Sequence, residues 1–116
     1  MTVDRKKSLS YLIKPSGEVT PAMPHDEEFS LEQIRDHVAG HPEVICETCD
    51  GFLLFRNRDA STRGFPVNPL ATSVYTKYVR RASPVNGRVF LAHPDHVAPY
   101  WRKKLNTETK HSRRAA

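Results

Sequence analysis

Pro66 and Pro69 stand three residues apart around Val67 and Asn68, and they restrict the chain more than any other stretch. Proline cannot donate to a ladder or sit inside a helix. It does suit the first helical position, where its missing N–H has no partner to lose and its φ is already helical. Asn68, just before Pro69, is a strong N-cap, because its side-chain oxygen can accept from a free backbone N–H. Residues 64–71 therefore read as a rigid approach followed by a helix from about residue 69 to 81. Leu70, Val74 and Tyr78 make one stripe on it, with Ala71 and Tyr75 beside them. A functional reading competes with this structural one. Free N–H groups at a helix start attract phosphate or carboxylate. Arg56, Arg58 and Arg63 lie on the approach, so with Asn68 they form a candidate site for an anion or other ligand. Pro69 weakens that site by deleting one donor.

Around this helix start the chain is punctuated by turn signals. Residues 9–14 are rich in strand formers, Pro15-Ser16-Gly17-Glu18 is a turn, and Val19-Thr20 begins a return strand that Pro21 and Pro24 end or confine to an edge. Ser30 and Gln33 have the spacing of a capping box, with Phe29 and Ile34 as a hydrophobic staple. Leu31, Ile34 and Val38 then repeat at helical spacing and are expected to face the core, and Gly40 ends the helix. Residues 43–48 and 52–57 are strand candidates around the tight-turn pair Asp50-Gly51. A last strand covers 88–92 and a short helix runs from Asp95 to about Leu105. The order is β-β-α-β-β-α-β, then a further helix. It predicts an α+β domain with a small, mostly antiparallel sheet and helices packed on one face.

A chain of 116 residues makes one domain, placed at 9–105 between a frayed N-terminus (1–8) and a disordered basic tail (106–116). No apolar run approaches the ~18–20 residues that span a bilayer, and no secretion signal precedes the first strand. Two cysteines in such a chain read as reduced thiols, which gives a cytoplasmic expectation. The net charge of +5 lies wholly in residues 99–116, which carry six Lys/Arg and one Glu. Within the body, residues 26–50 hold eight acids against Arg35, and 51–91 hold seven bases against Asp59.

Several of these signals form a familiar series: Ile13-Lys14-Pro15-Ser16-Gly17, Ser30-Leu31-Glu32-Gln33-Ile34, Asp50-Gly51, Pro66-Val67-Asn68-Pro69-Leu70-Ala71 and Gly87-Arg88-Val89. From Leu9 to Leu91 the chain resembles a family of small domains of unknown function found in phages, plasmids and bacterial genomes. The Pro-Val-Asn-Pro-Leu-Ala stretch is the most specific part. The resemblance implies the same order of elements and a mobile-element setting. It transfers no catalytic residue, since the family has no assigned activity.

Three other clusters carry candidate chemistry. His37, His41, Cys46 and Cys49 can be written as a metal set, but the spacing is unusual and one core Cys beside one turn Cys is the plainer reading. His93, Asp95 and His96 suggest acid–base work, although no nucleophile is paired with them by spacing, and Asp95 also suits a helix cap. Trp101, Arg102, Lys103, Lys104, Arg113 and Arg114 form a basic, aromatic-flanked segment that with the 56–63 loop is a candidate nucleic-acid surface; a solubilising tail is the alternative. No motif implies a cofactor. The expectation is a non-enzymatic binding or accessory protein that engages a protein or anionic ligand, with nucleic-acid binding and a metal or His-Asp enzyme as alternatives.

Overall fold

A computed structural model describes residues 8–80 and 82–106. The frayed segment and most of the basic tail expected from sequence, Arg113 and Arg114 included, lie outside the described residues. Strands β1 (Ser10–Ile13), β2 (Val19–Ala22), β3 (Pro42–Glu47), β4 (Leu53–Asn57) and β5 (Val89–Ala92) form one sheet in the order β2-β1-β5-β4-β3. Every neighbouring pair is antiparallel. Helices α1 (Leu31–Val38), α2 (Pro69–Tyr78) and α3 (99–106) accompany it, with a 3-10 turn at Pro94–His96. The fold is thus α+β, in the expected order.

Both hairpins close in the same way. Lys14 N–H donates to Glu18 O and Gly17 N–H to Lys14 O; Thr48 N–H donates to Phe52 O and Gly51 N–H to Thr48 O. Each is a three-residue loop whose last residue is a glycine at positive φ, +97° for Gly17 and +90° for Gly51. The second turn is therefore one residue longer than the Asp50-Gly51 pair alone suggests. Pro21 sits on edge strand β2, where no ladder bond is asked of it.

The helices divide between the two faces of the sheet rather than sharing one. On the first face Phe29, Ile34 and Val38 from α1 and its approach pack with Val44, Leu53, Phe55, Phe90, Ala92, Val97, and Trp101 and Leu105 of α3. On the second, Ala71, Val74 and Tyr75 of α2 pack with Ile13, Ile45, Cys46, Leu54, Val89 and Leu91. The cause is in the strands. Leu53-Leu54-Phe55 and Val89-Phe90-Leu91-Ala92 do not alternate, so both faces are apolar and both must be covered. Phe90 is the centre of the first face, edge-on to Phe29 at 4.6 Å and tilted to Phe55 at 5.9 Å, while Phe55 meets Trp101 at 5.0 Å.

Local details also depart from the sequence pattern. The capping box of α1 forms as expected, but Leu31 points outward and only Ile34 and Val38 are buried. The left-handed residue that ends α1 is Ala39 (φ 62°), one place before Gly40. Helix α2 stops at Tyr78, and its buried line is Ala71 flanked by Val74 and Tyr75; Leu70 and Tyr78 are largely exposed. The last helix starts at Pro99, which takes a first-turn position in α3 and separates it from the 3-10 turn.

Candidate functional site

The start of α2 is strapped to the approach to β5. Gly87 N–H donates to Pro66 O, Asn68 N–H to Val85 O and Asn86 Nδ2 to Phe65 O. The Asn68 side chain is fully buried. Its Oδ1 accepts from Ala71 N–H at 3.1 Å, the cap expected from sequence. Its Nδ2 donates to Ile13 O at 3.0 Å and to Gly87 O at 2.9 Å. The amide thus joins β1, the approach to β5 and the first turn of α2, and both Nδ2 hydrogens are spent on carbonyls. That leaves no side-chain donor of Asn68 for an anion, against the candidate ligand role. Arg56 is also engaged, its Nε donating to the cross-strand Glu43 Oε1 at 3.0 Å. Arg63 lies over the Phe65 ring at 5.2 Å, and Arg58 is exposed. Each of Asn68, Arg56 and Arg63 thus has a partner of its own outside this set.

The basic segment is likewise rearranged by packing. Trp101 is a core residue of the α3 face, so its ring is not offered for stacking on bases. Arg102 donates through Nε to Glu47 Oε2 (3.2 Å) and through its guanidinium to Gly51 O (3.1 Å), pinning α3 to the β3–β4 hairpin. Lys103 and Lys104 lie on the exposed side of α3.

The His/Cys set is split. His37 stacks on Phe90 at 4.7 Å, on the α1 face, whereas Cys46 is buried under α2. Cys49 sits at the hairpin turn, where it accepts from Tyr78 Oη at 3.6 Å. A register shift between Val44 and Cys46 puts Ile45 and Cys46 together in the α2 cluster. Burial pushes the Cys46 thiol up to about 11, which keeps it protonated and unreactive.

His96, by contrast, has a partner that spacing did not reveal. Its Nδ1 lies 2.8 Å from Ser10 Oγ, 86 residues earlier in the chain. Ser10 Oγ also accepts from His93 N–H at 2.8 Å. Burial holds His96 below its ordinary pKa, helped by His93 and partly opposed by Asp95. The imidazole is therefore neutral near pH 7, and in the tautomer with Nδ1 bare that nitrogen accepts the Ser10 proton. A Ser-His pair at this distance has the form of an activated nucleophile, but Ser10 is fully buried and its hydroxyl is occupied on both sides. His93 Nδ1 in turn accepts from Asp95 N–H at 3.0 Å, so the nearby Asp95 carboxylate at 3.7 Å is not facing an N–H there.

An open concavity among the described residues lies elsewhere, on the α2 face. A sheet of five strands is roughly 20 Å wide at ~4.8 Å per strand, whereas one helix covers about 10 Å. Helix α2 lies against β3, β4 and β5, and beside it a groove of about 300 Å³ remains. Tyr11 of β1, Leu91 of β5, Val74 and Tyr78 of α2 and Phe52 of the hairpin form its apolar walls. Thr48, Asp50 and Lys77 supply polar groups, one acid and one base among them. Sequence reasoning missed this place because its residues come from four elements. A hint lay in α2, where the stripe of Leu70, Val74 and Tyr78 with Ala71 and Tyr75 beside it offers more apolar surface than one buried face requires.

Comparisons with protein-family models, with curated proteins and with solved structures found no match. Among the described residues no helix is long and apolar enough to cross a membrane.

Proposed function

We propose that this chain is a small non-enzymatic binding protein that takes a segment of a partner protein into the groove between α2 and β1. The observation that carries the reading is the lining: three aromatic rings, Tyr11, Phe52 and Tyr78, with Val74, Leu91 and a few polar groups around an open space. Aromatic side chains give large contact area at low entropic cost, and sparse polar groups fix orientation. A protein segment fits better than an anion, because the groove has both Asp50 and Lys77 and the α2 N-terminus has spent its capping amide. The sealing of Ser10 supports a role without catalysis. The resemblance to phage and plasmid domains supports an accessory role in a mobile element, and two free cysteines fit a cytoplasmic setting.

The test is an NMR screen of the ¹⁵N-labelled protein against a library of short peptides, with single-stranded DNA in a parallel arm. Peptides are expected to shift Tyr11, Phe52, Val74, Tyr78 and Leu91, and Val74→Lys is expected to abolish the effect. Shifts confined to Arg58, Arg63 and Lys104 with DNA, and none in the groove with any peptide, would reject the proposal in favour of nucleic-acid binding.

A further inference from the structure

The network around Ser10 joins three parts of the molecule and has an unusual dependence on one proton. Ser10 belongs to β1, His93 and His96 to the turn after β5, and His96 O accepts from Phe29 N–H at 2.8 Å, at the entry to α1. In the neutral tautomer that leaves Nδ1 bare, both bonds of the Ser10 hydroxyl are matched: it donates to His96 Nδ1 and accepts from His93 N–H. Once His96 takes up a proton, Nδ1 becomes a donor. Ser10 Oγ then faces two N–H groups, and its own hydrogen loses its acceptor. Ser10 is fully buried and His96 6% exposed, so water is poorly placed to take over.

The surroundings of His96 do little to offset this. On its own turn, His93 opposes the charge and Asp95 favours it. The Asp95 side chain is 72% exposed, so solvent screens its charge, and its Oδ2 also accepts from Ser8 Oγ at 3.1 Å. The other elements against it contribute Ser10 from β1 and the Phe29 ring, edge-on at 5.7 Å, neither of which balances a positive charge.

We infer that the Ser10–His96 contact is a proton-sensitive latch: protonation of His96 releases residues 93–96 from β1 and loosens the entry to α1, while the sheet stays paired. The latch also adjoins the groove, since the His93 ring lies 5.0 Å from Phe52. Its test does not require that the groove bind anything.

Three amides report the latch directly: His93 N–H on Ser10 Oγ, Phe29 N–H on His96 O, and His96 N–H on His93 O. Hydrogen exchange of the intact chain, corrected for intrinsic rate, is measured between pH 7.5 and 5. Protection of these three amides is expected to fall at least tenfold as His96 titrates, with amides of β3 and β4 unchanged. His96→Asn, which keeps an acceptor near Ser10 without titrating, is expected to remove the pH effect. If that variant does not fold, wild-type imidazole shifts decide. A His96 titration that leaves the three amides protected overturns the latch, and so does a loss of protection spread evenly over the sheet.

Discussion

Replacing Asn68 by aspartate separates two roles that the sequence presents as one. As an N-cap alone, aspartate equals asparagine, and the exchange is close to neutral. In the structure the cap is only one of three side-chain bonds; the other two donate from Nδ2 to Ile13 O and Gly87 O in a fully buried site. Aspartate keeps the acceptor for Ala71 N–H and turns an oxygen toward both carbonyls. Each buried backbone group left unpaired costs about 1–3 kcal/mol. Asn68→Asp is therefore expected to lose about 3–5 kcal/mol at pH 7.5 from two orphaned carbonyls and their repulsion of the carboxylate. Asn68→Ala falls in the same range through two carbonyls and one N–H. For a domain of this size such a loss lowers Tm by at least about 12 °C. Burial raises the pKa of the new carboxyl, so the folded state binds its proton more readily than the unfolded chain does. The deficit of Asn68→Asp is thus expected to shrink as pH falls from 7.5 toward 5, when its O–H can donate to one carbonyl, while that of Asn68→Ala gains no such recovery. Urea unfolding followed by far-UV circular dichroism and by emission of Trp101, the single tryptophan, measures all of this. An aspartate variant within about 0.5 kcal/mol of wild type would show that Asn68 is only a cap.

Three further outcomes are expected. Ala39→Gly removes the strain of a left-handed alanine at φ 62° and should raise stability by about 0.5–1 kcal/mol, read by urea unfolding. Gly87→Ala should lower it by more than about 2 kcal/mol, because φ is +79° and the new Cβ would stand 2.8 Å from the Phe65 ring; a neutral result in the same assay would mean that the ring moves freely. His37 and His96 both have pKa values lowered first by burial, so the unfolded chain binds more protons than the folded one near pH 6. Their contribution is complete above about pH 6.5 and is lost as pH falls through the lowered folded values, which thermal unfolding from pH 7.5 to 5 should show as a declining Tm.

The sequence was most legible where one residue type answers one local need. Ser30 and Gln33 specify a capping box, Gly17 and Gly51 specify turns with positive φ, and Asn68-Pro69 specifies a helix start; all three form. The order of elements followed from these signals. What could not be read depended on which elements meet. Trp101 beside Arg102 looks like a binding surface in one dimension, but packing against Phe55 makes it core. Ser10 and His96 are 86 residues apart, and no spacing rule links them. The placement of helices on both faces was available in principle, because Leu53-Leu54-Phe55 and Val89-Phe90-Leu91 break the alternation that a one-sided sheet needs.

The central place of β5 has a consequence for how the protein is made. Tyr11 pairs with Leu91 and Phe55 with Phe90, so the two hairpins have no strand contact with each other except through β5. On a ribosome both hairpins are synthesised early, and each waits with one bare edge until residue 92 has left the exit tunnel. Closing the sheet then spans most of the chain, a slow kind of step, and the waiting edges are open to wrong partners in the meantime. A nascent chain stalled before Val89 would thus be a client for chaperones, and the final strand acts as the piece that commits everything before it.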